Sequence, residues 1–503
     1  MPEPQKIRIP TLARCPGRYT DIAICAALYV IIVVSGVLTE GNGTDDWLQI
    51  DEPFNEWVPH YGRWVTDLIS RWFFHGHYLL PLQLVVAFVA FVYVARTVAG
   101  HVVECAWQPC ATALLFALGV THLYMTEMLS FSSHIMGYAL AIAASVAAFD
   151  LLAPDHPTCW PAWVRVIVAA QQLAFSLGSY QTFALAGGII AMAVLMRADR
   201  HDSRQVGRYW PLGALATVLA LALYAGELFI YVWALDFGSL NMDYEGAPMT
   251  LAERLRTLPN VLLQLHTLNA SAGLPRPVRL LNLLFFVALL ALGGLIVLRL
   301  ARKGRFDAAS RVAVGAALAF FVLPILFVPI TKSYIAGRAF AYIGFFYGGV
   351  LLAAVTTAQR IAGRPAPDWL SRASALLLVA MALTYGAITM RVWDDRARID
   401  ARDRALAATM MARVSALPGY QGGAFHIYGW KRYPDLAWGN VLGLSIFVGD
   451  WGDYSIFKEL YGIGPVPTGV VASPRACPAF PAEQSVFMDN GAAFVCLEAS
   501  AVP

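Results

Sequence analysis

The densest group of acidic side chains in the sequence lies in the segment TEGNGTDDWLQIDEPFNEWVPHYGRW, residues 39–64. Asp45 and Asp46 stand a few residues beyond the end of an apolar run. A carboxylate fixed at that height can remove the proton from a hydroxyl group that approaches from water. We therefore interpret Asp45 and Asp46 as candidate general bases. The alternative is a solvated, charged loop.

Aromatic residues alternate with these acids, and Trp47 and Trp64 are the candidates for substrate contact. Sugar-binding sites often pair carboxylates with aromatic faces. Tryptophan also belongs to the ordinary aromatic belt at a membrane interface, so the pattern fits both interpretations.

Three basic residues are candidates for binding an anionic group. Lys332 and Arg338 lie in TKSYIAGR, a short loop between two apolar runs, and Arg63 closes the acidic segment. Arginine offers bidentate hydrogen bonds to phosphate. Arg63 is suited either to a phosphate or to bracing a neighbouring acid. For Lys332 and Arg338 the alternative is anchoring to lipid head groups.

Two further short segments carry polar residues at the ends of apolar runs. MTEMLSFSSH contributes Glu127 and His134, and GSYQT contributes Tyr180 and Gln181. Each of these side chains is a candidate for lining a substrate cavity. The alternatives are helix-end residues hydrated by water and an ordinary turn.

Motifs for metal or nucleotide chemistry are missing from the sequence. The spacing of His60, His75 and His77 matches no helix-face metal motif, and there is no P-loop, nucleophile elbow or Cys/His pattern. The number of carboxylates would permit a divalent metal, but no EF-hand pattern supports one. We assign no metal ligand and no cofactor.

The composition is that of an integral membrane protein. Of 503 residues, 58% are hydrophobic and 14% are charged, against about 25% charged in soluble domains. The net charge of +3 gives no indication of a nucleic-acid partner. Membrane lipids are the expected surroundings, and we predict about eleven spans of helical length, at 21–38, 79–98, 110–126, 134–152, 163–179, 181–197, 210–233, 280–299, 311–330, 339–358 and 372–389.

Clusters of Lys and Arg predict the orientation. Residues 1–20 form a basic, cytoplasmic N-terminal tail, and alternate loops carry the other basic clusters. Residues 21–390 then form an all-α transmembrane domain whose first outer loop spans 39–78. The outer loop at 234–279 contains a stretch with helical spacing that suits the membrane interface.

Residues 391–503 are predicted to form a small α/β domain outside the membrane. A helical pattern opens it, and Asn490-Gly491 between two short apolar runs indicates a β-hairpin. Cys477 and Cys496 lie in this tail. They can form a disulfide if the tail is extracytoplasmic, and otherwise they are two unpaired thiols.

This layout resembles the GT-C glycosyltransferases, and most nearly the serotype-converting O-antigen glucosyltransferase family of bacteria and their phages. The supporting segments are DDW and GRW in the first loop, SLGSYQT, Arg338 in AGRAF, WDDRARIDARDRALAATMMARV and FPAEQSVFMDNGAAFVCL. The chain departs from the family pattern in one respect. An Arg often follows soon after the paired acids there, whereas the next basic residue here is Arg63.

The resemblance implies a transferase in the bacterial inner membrane that works at its periplasmic face. The donor would be undecaprenyl phosphate carrying a hexose, most simply glucose, and the acceptor a hydroxyl of a periplasmic or lipid-linked glycan. Asp45 or Asp46 would be the base for an inverting transfer, and Arg63, Lys332 and Arg338 would bind the donor phosphate. The competing hypotheses are a transporter or flippase of a lipid-linked glycan and a scaffold whose tail does the binding.

Overall fold

The computed structural model describes residues 19–39, 41, 57–60, 62–77, 79–197, 200–236, 250–266, 276–325, 337–362, 368–433, 435–436, 445–448, 453–464 and 476–497. Of the predicted site residues, Asp45, Asp46, Trp47 and Lys332 lie outside these ranges.

Helices make up most of the described chain. In hydrocarbon every backbone N–H and C=O must be paired within the protein, and an apolar helix meets that requirement with its own hydrogen bonds. The α-helices are α1 (Tyr19–Tyr29), α2 (Ser35–Thr39), α3 (Trp57–His60), α4 (Trp64–Leu68), α5 (Leu80–Val102), α6 (Gln108–Thr121), α7 (Leu123–Leu129), α8 (Ile135–Leu152), α9 (Ala162–Ser179), α10 (Gly188–Met196), α11 (Ser203–Ala234), α12 (Leu251–His266), α13 (Arg276–Arg302), α14 (Phe306–Ile325), α15 (Ile343–Ala362), α16 (Asp368–Ser415) and α17 (Asp453–Tyr461).

Seven helices among the described residues are long and apolar enough to cross a membrane, and an eighth crossing results if the bent pair α6–α7 is one span. The chain is therefore a helical membrane protein. Helices also occupy the other predicted spans, but α9 carries Arg165, Gln171 and Gln172, and α10 is only nine residues long. The total of about eleven spans remains a prediction.

The bend between α6 and α7 lies at His122. This residue has an extended backbone (φ −65°, ψ 137°), and its imidazole accepts a hydrogen bond from the backbone N–H of Tyr124. The capped start of α7 therefore stabilises the 64° change of direction. As a result α7 packs against the 3₁₀ turn Gly337–Phe340.

Loop segments that were predicted to share one side of the membrane contact one another. At one end of the bundle, Arg197 donates to the carbonyls of His101 and Val102, and Arg311 donates to the carbonyl of His201. The opposite end, which we call the site end, gathers residues 62–66, 127–134, 179–182 and 337–340. This grouping fits the predicted alternation of loops between the two sides of the membrane. Which end of the bundle faces outward remains a prediction.

Helix α16 is 48 residues long, which corresponds to about 72 Å. The hydrocarbon core of a bilayer is about 30 Å thick, so a large part of α16 extends beyond the membrane. Its C-terminal part carries Ala407, Met410 and Val414, which pack with Phe425 and Val495 in the core of the tail.

The described part of the tail contains a three-stranded sheet in the order β1 (Phe425–Tyr428), β3 (Ala492–Cys496), β2 (Val486–Asp489). Strands β2 and β3 pair in antiparallel fashion. They are joined by Asn490 and Gly491, both of which have positive φ (47° and 81°). These values fit a tight hairpin turn, so the predicted hairpin is confirmed. Cys477 and Cys496 form a disulfide.

Candidate functional site

Arg63 lies directly over the ring of Tyr180. Its guanidinium carbon is 4.4 Å from the ring centroid, close enough for a cation–π interaction. Tyr180 is buried and has an extended backbone where α9 ends, and its ring supports the arginine. The two candidates, which come from different loops, therefore form one contact.

The segment that follows Arg63 packs tightly on the end of α9. A Cβ atom at Gly178 would lie 2.5 Å from Nε1 of Trp64, so the indole packs directly against the backbone of Gly178. The hydroxyl of Thr66 donates to the carbonyl of Ser179 at 2.9 Å. Trp64 is thus held against α9, and this packing sets the position of Arg63.

Gln181 connects the same turn to α11. Its side-chain amide donates to the hydroxyl of Tyr224 at 3.3 Å, and that hydroxyl donates to the carbonyl of Gly62 at 3.2 Å. Gln181 therefore helps to hold the turn that precedes Arg63. Its predicted hydrogen bond to a substrate sugar remains a prediction.

His134 is buried beside this contact. Burial lowers the pKa of its imidazole to about 4. A hydrogen bond that the ring donates to the Ser133 backbone acts against this shift, and the positive charge of Arg63 adds to it. The ring is consequently neutral at pH 7. It packs edge-on against Tyr138 at 5.5 Å, and Tyr138 in turn packs against Tyr180 at 5.4 Å.

Arg338 forms the second cationic contact of the site. It pairs with the buried carboxylate of Glu127 at 3.5 Å and lies over the ring of Phe131, 4.6 Å from the centroid. Because an isolated charge is costly to bury, Glu127 depends on this pairing. The Arg338 side chain is 20% exposed, so it can still meet a ligand.

Gly337 permits the close approach of Arg338 and α7. A Cβ atom there would lie 2.5 Å from Oε2 of Glu127 and 2.5 Å from Cδ1 of Tyr124. Real Cβ atoms do not approach other heavy atoms so closely, so a larger residue would push the turn away from α7.

A hydrogen bond joins the two cationic contacts. The hydroxyl of Thr182 donates to the carbonyl of Ala339 at 2.7 Å, which ties the turn after Tyr180 to the turn that carries Arg338. The described candidates all gather at the site end: Arg63, Trp64, Glu127, His134, Tyr180, Gln181 and Arg338.

Comparison with known families decides the class of the protein. The sequence model of the glucosyl transferase GtrII family matches residues 41–356, which is more than half of the chain. The protein belongs to the GtrII glucosyl transferase family. The match spans both cationic contacts of the site end, and it makes this chain a glycosyltransferase that handles a sugar donor and a glycan acceptor. Neither the curated proteins nor the solved structures include a match.

The site end of this GtrII transferase holds two arginine side chains, Arg63 and Arg338, in ordered positions. Both guanidinium groups lie over aromatic rings, and one is paired with a carboxylate. The site end therefore combines fixed positive charge with planar aromatic surface. Within the described ranges, no group of three or more His, Cys, Asp or Glu side chains could hold a metal ion.

The structure adds supporting residues that the sequence analysis had missed. Asp67 is buried, accepts a hydrogen bond from Tyr231 at 2.6 Å and pairs with Arg71 at 3.1 Å. The ring of Tyr231 also packs against Trp64 at 5.9 Å. The spacing of Asp67 and Arg71, one helical turn apart, was a signal available in the sequence. Nothing local pointed to Tyr224 or Tyr231.

Proposed function

We propose that this GtrII protein transfers glucose from undecaprenyl phosphate–glucose to a hydroxyl of a periplasmic or lipid-linked glycan, with inversion at the anomeric carbon. The observation that carries the proposal is the pair of arginine contacts at the site end, Arg63 on Tyr180 and Arg338 on Phe131 and Glu127. They provide positive charge where a lipid-linked phosphate would leave.

The donor phosphate sets the requirement for these cations. When the bond between the anomeric carbon and the phosphate oxygen breaks, the electron pair leaves with the phosphate. Such a leaving group needs positive charge rather than a proton, and fixed guanidinium groups supply it without reorganisation. Arg63 and Arg338 take this role in the proposal, and Lys332 is the third candidate.

Asp45 or Asp46 is the proposed base. The acceptor oxygen attacks the anomeric carbon opposite the departing phosphate, and the carboxylate takes the hydroxyl proton. Gly41 is described and lies just before these acids.

The remaining candidates are proposed to contact the sugar. The neutral imidazole of His134 can donate or accept a hydrogen bond, and the carboxylate of Glu127 can accept one from a sugar hydroxyl. Tyr180, Gln181, Trp47 and Trp64 would supply hydroxyl, amide and aromatic surfaces. In this proposal the protein is an inner-membrane enzyme with a cytoplasmic N-terminus and a periplasmic tail.

A transfer assay with the purified protein in proteoliposomes tests the proposal. The donor is undecaprenyl phosphate–glucose carrying labelled glucose, and the acceptor is a lipid-linked glycan. We expect label in the acceptor and an anomeric configuration opposite to that of the donor by NMR. Retention of configuration would contradict the mechanism. Movement of donor across the bilayer without covalent transfer would instead favour a flippase.

A further inference from the structure

The outer part of the first span rests on α16 through two glycines. A Cβ atom at Gly36 would collide with the indole of Trp393. A Cβ atom at Gly41 would lie 2.7 Å from both Cβ and Oδ2 of Asp400. Trp393 and Asp400 are about two helical turns apart and so lie on the same side of α16. The chain therefore follows this side of α16 from the first span to Gly41, four residues before Asp45.

Asp400 itself is held in place. It is 8% exposed and accepts a hydrogen bond from Nε of Arg404 at 2.8 Å, one turn along the helix. Its side chain thus presents a fixed surface to Gly41. Gly41 has φ +74°, a conformation that other residues rarely adopt, so both the backbone angle and the available space require glycine.

The same stretch of α16 also binds the tail. Asp403 is buried and accepts hydrogen bonds from the hydroxyl of Tyr433 at 3.0 Å, the hydroxyl of Ser445 at 2.7 Å and the backbone N–H of Ile446 at 2.8 Å. One turn of α16 therefore contacts both the start of the acidic segment and the tail.

We propose that Asp400, held by Arg404, is a positioning residue for the transfer reaction. Asp400 packs against Gly41, a contact that we call the seat. The seat fixes the position of Gly41, from which the chain continues to Asp45 and Asp46. This inference rests on the proposed function, in which one of these acids is the base. Gly41 leads along the chain to Asp45 and Asp46, so disturbing the seat should affect the base more than donor binding.

The variant Gly41→Ala tests the seat, and Gly304→Ala is its matched control. Gly304 has a similar φ of +69° but open space around it, so it carries the backbone strain without the collision. We expect Gly41→Ala to lower kcat by about 10- to 100-fold while KM for the donor changes by less than about threefold. Gly304→Ala should leave both constants near those of the wild type. Equal effects of the two variants would overturn the proposal.

A double-mutant cycle identifies Asp400 as the partner. The Asp400→Gly variant lacks the Cβ, Cγ and Oδ2 atoms of Asp400, which are the three atoms that an alanine Cβ at position 41 would contact. The loss in kcat caused by Gly41→Ala should therefore be smaller there than in the wild type. The conservative variant Asp400→Asn keeps the shape of the seat and should retain most of the wild-type kcat. An identical loss in both backgrounds would contradict the assigned contact.

Hydrogen–deuterium exchange tests whether the contact between Gly41 and Asp400 exists, independently of whether the proposed function is correct. Gly41→Ala should accelerate amide exchange in a peptide covering residues 37–41, and Gly304→Ala should not. If Asp45→Asn and Asp46→Asn both keep full activity, the base assignment fails, but the exchange experiment still decides whether the seat exists. Unchanged exchange in Gly41→Ala would overturn the seat whatever the activities show.

Discussion

Arg63 lies over Tyr180, with 4.4 Å between the guanidinium carbon and the ring centroid. Arg63 belongs to the first loop and Tyr180 directly follows α9, so the contact joins two separate loops at the site end. Beneath it, Tyr138 and the neutral His134 continue the aromatic packing. A guanidinium group held in this way is already ordered, so it would lose little further entropy in binding the donor phosphate that we propose.

Replacement of Arg63 should weaken donor use. We expect Arg63→Ala to lower kcat/KM for the polyprenyl-phosphate donor by about 100-fold, which corresponds to roughly 2.7 kcal/mol of transition-state stabilisation. Arg63→Lys should recover only part of the loss, because lysine has neither the planar face nor the bidentate geometry. Arg208→Ala removes an exposed arginine near the start of α11, away from the site end, and is the matched control. Steady-state kinetics that place Arg63→Ala level with Arg208→Ala would rule out the phosphate role.

Loss of Arg338 should destabilise the protein as well as inactivate it. Its removal leaves the carboxylate of Glu127 buried without its cation, at a cost of about 3 kcal/mol in the free energy of unfolding. Glu127→Gln in the same chain removes the stranded charge and should restore much of that stability, but not the activity. Unfolding in detergent, followed for both single variants and the double variant, measures the effect. Additive losses in the double variant would contradict the pairing.

Gly337→Ala should disrupt the site end without altering any charge. The added Cβ would meet Glu127 and Tyr124 at 2.5 Å, so the turn that carries Arg338 must shift. We expect a loss of about 1–3 kcal/mol in stability together with reduced transfer. Gly226→Ala on α11 has nothing within 4 Å of the new atom and is the matched control. Equal stability of the two variants would show that the close approach is not required.

Acid should destabilise the protein through His134. Its folded-state pKa of about 4 is below the ordinary value of 6.5, so the unfolded chain takes up a proton first as the pH falls. The stability that depends on the neutral ring is complete above pH 6.5 and is lost as the pH falls through 4, a change of about 3 kcal/mol. His134→Gln does not titrate and should lose less stability between pH 7 and pH 4. Parallel pH profiles would contradict this prediction.

Features that depend on local sequence could be predicted well. The hairpin at Asn490-Gly491 was correct because the turn geometry follows from two adjacent residues. The helical character of the membrane domain and the family were likewise predicted from apolar runs and short motifs. The candidates Arg63, Tyr180 and Arg338 were chosen from separate loops, and the structure brings them to one end of the bundle.

Contacts between distant segments could not be predicted. The pairing of Glu127 with Arg338 depends on the bend at His122, which no helix signal marked. The seat of Gly41 on Asp400 depends on how far α16 continues beyond the membrane, whereas the sequence analysis had placed a domain boundary at residue 390. Hydrophobic patterns report which faces are buried, but not which faces meet.

The rate of sugar transfer by the variants Asp45→Asn and Asp46→Asn tests the central claim most directly. It should be measured in a single turnover with saturating donor and acceptor, and Asp51→Asn from the same segment is the control. We predict that one of the two variants loses at least about 100-fold in rate, while donor binding, insertion into the membrane and the rate of Asp51→Asn stay close to the wild type. Full transfer rates in both variants, and in the combined Asp45→Asn/Asp46→Asn protein, would contradict a first-loop aspartate as the catalytic base.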